Sequence, residues 1–107
     1  MTELASKFDD VSNDFISIYT VLENEKRHYD ILILFLNAMM QLRTSISLLG
    51  KTKTQNEEKT TNTLNDLNTV ELCVKLLRSA KLAAPEETDS MVKSCEALRS
   101  FLNSCNA

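Results

Sequence analysis

The chain has 107 residues, 43% of them hydrophobic and 25% charged, a balance that fits one small globular domain and is too apolar for intrinsic disorder. Its net charge of −3 lacks the basic surplus that phosphate neutralisation needs, which argues against nucleic-acid binding. A single glycine and a single proline leave Gly50 and Pro85 as the only strong breaks, so the expected fold is all-α: an antiparallel four-helix bundle or paired helical hairpins, assembled as a dimer.

A first helix is expected over about 3–24, with Thr2 as its N-cap. Leu4, Phe8, Val11, Phe15, Ile18 and Leu22 step through it in a 4-3-4-3-4 pattern, which gives one narrow apolar seam. Its other side is acidic. Seven acids (Glu3, Asp9, Asp10, Asp14, Glu23, Glu25, Asp30) stand against three bases (Lys7, Lys26, Arg27) in the first thirty residues. Asp9, Asp10 and Asp14 are the candidate partner-binding residues, since an acidic outer face can steer a basic partner.

Residues 23–28 (ENEKRH) interrupt the apolar pattern without a glycine or proline, while the seam continues in phase through Tyr29, Leu32, Leu36, Met39 and Ile46. Two readings stay open: a hairpin turning near 24–28, or one long helix over 3–49. The lone histidine, His28, falls here and reads as a surface residue of a polar bend.

The second helix, about 27–49, is unusually apolar. At 100° per residue, Leu32, Leu36, Met39 and Ile46 form one stripe, and Ile31, Phe35, Ala38, Leu42 and Leu49 form another beside it, widened by Ile33 and Met40. A bundle helix normally needs one stripe, so the second set is expected to be the dimer interface. The longest apolar run, Ile31 to Leu36 continued to Met40, is about half of the ~20 residues a bilayer span needs, so no membrane role is expected.

Gly50 is placed to end this helix in the left-handed conformation, with Lys51 and Lys53 just beyond. No apolar side chain occurs from Lys51 to Thr63, which reads either as a polar loop, placed over 51–62, or as a solvated helical extension. A third helix follows over about 63–83, opened by Thr63 and Asp66 in a capping-box arrangement, with its stripe on Leu67, Val70, Val74 and Leu77. Pro85 then suits the first turn of a fourth helix, about 86–105, where Glu86, Glu87 and Asp89 favour the positive end of the dipole. Met91, Cys95, Leu98, Leu102 and Cys105 form its seam.

Three cysteines, spaced by 22 and 10 residues, do not make a disulfide framework or a metal clip; they read as free thiols in a reducing, cytoplasmic setting. One glycine cannot build a phosphate-binding loop, and no paired-histidine zinc motif or nucleophile elbow occurs. No catalytic, cofactor or metal residues are therefore assigned, and no secretory signal is visible. The expected function is a non-enzymatic interaction module, acting as a regulator, inhibitor or chaperone-like adaptor on a partner protein. The alternatives are a structural coiled-coil subunit and a small helical enzyme using cysteine or carboxylate chemistry.

Overall fold

The computed structural model describes residues 2–25, 29–51 and 57–105, and these form an all-α fold of four helices: α1 (Thr2–Glu25), α2 (Tyr29–Gly50), α3 (Glu57–Ser79) and α4 (Pro85–Cys105). Each helix carries a buried heptad-like seam. In α1 it is Leu4, Val11, Phe15, Ile18 and Leu22 with Phe8 half-buried; in α2 it is Leu32, Phe35, Met39, Leu42, Ile46 and Leu49. Residues spaced alternately three and four apart lie on one side of a helix, so each helix has one side that gains by leaving water.

The four seams meet in one core. Helices α1 and α3 each pack against α2 and α4, so α1 lies diagonal to α3 and α2 to α4. Neighbours run antiparallel. Arg78 meets Asp89 while Arg99 meets Glu71, and Asp14 reaches Ser90 and Ser94 while Ile18 and Val21 lie beside Ala84 and Pro85.

The two readings of residues 3–49 are resolved in favour of two helices lying side by side. One continuous helix would be about 70 Å long at 1.5 Å per residue, yet the longest dimension of the molecule is 44 Å. The rings of Phe15 and Phe35 meet edge to face with centroids 4.7 Å apart, which fixes α1 against α2. Residues 26–28, including His28, lie outside the described residues.

Helix α3 begins six residues before the expected Thr63. Its seam runs Thr60, Thr63, Leu67, Val70, Val74 and Leu77, so the 3-4-3-4-3 pattern extends into the stretch read as polar loop. The hydroxyl of Thr63 donates to the carbonyl of Lys59 at 2.8 Å, which satisfies its polar atom within the helix and leaves its methyl group for the core. Thr88 does the same at the start of α4, donating to Pro85 O at 3.0 Å. Of the loop expected over 51–62, residues 57–62 are therefore helical, and 52–56 lie outside the described residues.

The two helix ends also exchange roles. Gly50 was expected to be left-handed; the glycine has no positive φ and is the last helical residue of α2. Lys81 takes the left-handed conformation instead, at φ 57°. Leu82 N donates to Leu77 O at 2.9 Å and Lys81 N to Arg78 O at 3.1 Å, the paired bonds of a Schellman motif. This closes α3 at Ser79, short of the expected residue 83.

Candidate functional surface

The dimer-interface set needs correction first. Phe35, Ala38, Leu42 and Leu49 are buried within the chain's own core, and Ile31 is half-buried against it. The reason is geometric: α2 has two neighbours, α1 and α3, and the two adjoining apolar stripes are consumed by covering both. Phe35, Ala38, Leu42 and Leu49 therefore offer no exposed surface to a second copy of the folded chain.

The acidic candidates separate in a similar way. Asp9 and Asp10 are exposed. Asp14 is half-buried and accepts hydrogen bonds from the hydroxyls of Ser90 at 3.0 Å and Ser94 at 2.6 Å, so it joins α1 to α4 rather than facing a partner. An aspartate four residues after Asp10 looks identical in sequence; only the serines opposite it give it an internal role.

Beyond Asp14, α4 is tied to α3. Arg99 and Glu71 are paired at 2.8 Å and are half-buried, whereas the Arg78–Asp89 pair at 2.5 Å is exposed beside the 80–84 connection and so contributes little. Glu71 leaves its second carboxylate oxygen, Oε1, buried without a hydrogen-bond partner. Near it, burial and then the negative charge of Glu71 push the thiol of Cys95 up to about 12, so it stays protonated at neutral pH. Burial raises Cys73 as well. Protonated, enclosed thiols of this kind are poor nucleophiles. Among the described residues no group of three or more histidine, cysteine or acidic side chains is placed to hold a metal ion.

On the other side of the molecule Ser45 donates to Asp66, linking α2 to α3. The outer surface here sets large hydrophobic side chains among polar ones. Tyr29, Ile33, Leu34, Met40 and Leu48 of α2 and Leu72 and Leu76 of α3 are exposed, as are Ile16 and Val21 of α1. Met40 is 58% exposed and borders grooves on both flanks of α2: one shared with Phe8, Asp9, Ser12 and Ile16 of α1, the other with Asn62, Asn65 and Asp66 of α3. By length and composition Tyr29–Gly50 is also apolar enough to cross a membrane, because the expectation from Ile31–Met40 counted a shorter run than the whole helix. Its inner face is committed to the core.

The surface is thus sorted by chemistry. Helix α1 carries six acids and one base, whereas Asp30 and Arg43 are the only charges of α2. The sequence reading missed the apolar patch because it divided the buried residues of α2 between two stripes and added Ile33 and Met40 to them; the 3-4 phase of Leu32, Phe35, Met39, Leu42 and Ile46 was the signal that separates buried from exposed. No protein-family model, curated protein or solved structure matches the chain.

Proposed function

We propose that the chain is a non-enzymatic interaction module of the cytoplasm, a regulator, inhibitor or chaperone-like adaptor, whose activity is occupancy of a partner protein's surface. The observation that carries this reading is the sorting of its exterior into an acidic α1 surface and an apolar α2–α3 surface. Large aliphatic side chains grouped on one side of a small domain favour a protein contact over plain solvation. Self-association belongs to the same proposal and uses the apolar side. The acidic side, led by Asp9 and Asp10, then recognises a basic surface on the partner, through charges that raise the association rate and lose effect with salt.

A pull-down from the native cell tests the reading: one stoichiometric partner is expected, and a many-subunit assembly would favour the structural-subunit alternative. With that partner in hand, Asp9→Lys combined with Asp10→Lys should slow association several-fold at low ionic strength while leaving the helical circular dichroism unchanged. Wild-type rates in this variant would remove the acidic face from the recognition surface.

A further inference from the structure

The exposed face of α2 reads the same in both directions about a point between Met40 and Gln41. Reversing the helix places residue i opposite residue 81 − i. Asp30 then faces Lys51, Ile33 faces Leu48 and Asn37 faces Thr44, with Met40 and Gln41 next to the midpoint. At 100° per residue these eight positions fall within a sector about 100° wide and span about 32 Å, with Lys51 one residue past the end of α2 and its N–H still donating to Ser47 O at 3.2 Å. All of them are exposed.

We propose that α2 pairs antiparallel with α2 of a second copy of this chain across a two-fold axis at residues 40–41. This rests on the self-association part of the functional reading and names the surface and register that carry it. A two-fold interface must be complementary to itself, and three of the four facing pairs are: acid meets base, aliphatic meets aliphatic, amide meets hydroxyl, with Met40 set against Gln41 in the fourth. Thr44 already donates its hydroxyl proton to Met40 O at 3.0 Å, so its oxygen has acceptor capacity left for the side-chain amide of Asn37 in the other copy. A parallel pairing would instead bring Asp30 against Asp30 and Lys51 against Lys51, a like-charge cost at both ends.

The rest of the surface agrees. With its six acids and one base, α1 repels a copy of itself, whereas α2 has only Asp30 and Arg43 along its length. Leu34 stands next to the seam on α2 itself and Ile16 of α1 shares a groove with Met40, widening the footprint towards the ~800 Å² per partner of a standard interface.

Light scattering on the full chain should give twice the 12.1 kDa chain mass, and Met40→Glu should give the single mass with unchanged helicity. Asp30→Lys and Lys51→Glu should each raise the dimer dissociation constant roughly five-fold at low salt, since the pair occurs twice per dimer, and together they should restore it. A wild-type chain monomeric up to about 1 mM overturns the proposal, and with it the self-association reading, while the partner test on Asp9 and Asp10 stands apart. A dimer indifferent to Met40→Glu overturns the face. A dimer lost with Met40→Glu but not rescued by the double charge swap overturns the register. Monomeric chain that sediments with phosphatidylcholine–phosphatidylglycerol vesicles would assign the face to lipid and overturn the proposal as well.

Discussion

The α1–α4 half and the α2–α3 half are built on the same seam geometry and finish their outer surfaces in opposite ways. Helices α1 and α4 are joined by a half-buried aspartate that accepts from two serines, and among their described residues α4 exposes no large hydrophobic side chain and α1 exposes two, Ile16 and Val21. Helices α2 and α3 leave seven large hydrophobic side chains in water. Core formation cannot explain that difference, because both halves already contribute complete seams to the core. The outward chemistry is therefore free of the folding requirement, and the contrast is the ground on which contacts beyond the single chain are proposed.

The sharpest way to break this contrast is on α2 itself, where Phe35 points into the core and Met40, five residues on, points out. Phe35→Ala should cost about 3–5 kcal/mol, through lost transfer energy and the cavity left beside Phe15, whereas Met40→Ala should change the stability of the dilute monomer by less than about 0.5 kcal/mol. Denaturant titration measures both. Equal costs would mean that the two faces of α2 are not distinct.

A smaller effect probes the polar half. Asp14→Ala removes the acceptor for Ser90 and Ser94 and should destabilise the chain by about 1–3 kcal/mol, while Asp10→Ala, on the exposed surface, should be near neutral. If the two substitutions behave alike, Asp14 is a surface acid as the sequence suggested.

The smallest effects compare the ends of the apolar half. A Cβ added at Gly50 would meet nothing within 4 Å, and the residue is helical, so Gly50→Ala should stabilise by about 0.4–1 kcal/mol. Lys81 holds a left-handed conformation that costs a side-chain-bearing residue about 1 kcal/mol, so Lys81→Gly should recover much of that. Both substitutions should therefore raise the midpoint of thermal unfolding, and a lowered midpoint for Gly50→Ala would mean that Gly50, not Lys81, holds the left-handed position.

These ends also mark how far the sequence could be read. The four helices and most of the core were legible from 3-4 spacing, because burying one side of a helix requires it. Where a buried side chain was polar by name, as with Thr60, Thr63 and Thr88, the seam was cut short, since hydrophobicity alone does not register a buried threonine, and the hydroxyls of Thr63 and Thr88 bond back to their own helices. Helix termination followed local backbone geometry at Lys81, where no glycine signalled it. The candidate site was less legible than the fold. Asp9 and Asp10 differ from Asp14 through what α4 places opposite them, a tertiary relation that one helix's sequence does not contain, whereas Met39 and Met40 differ by their phase within α2.

The central claim, that the outward face of α2 is an assembly surface rather than solvated exterior, is tested most directly by thermal unfolding as a function of chain concentration, wild type beside Met40→Glu. A folded dimer is stabilised over unfolded monomers by mass action, so the wild-type midpoint should rise with concentration while that of Met40→Glu stays fixed. Midpoints independent of concentration in both proteins would contradict it.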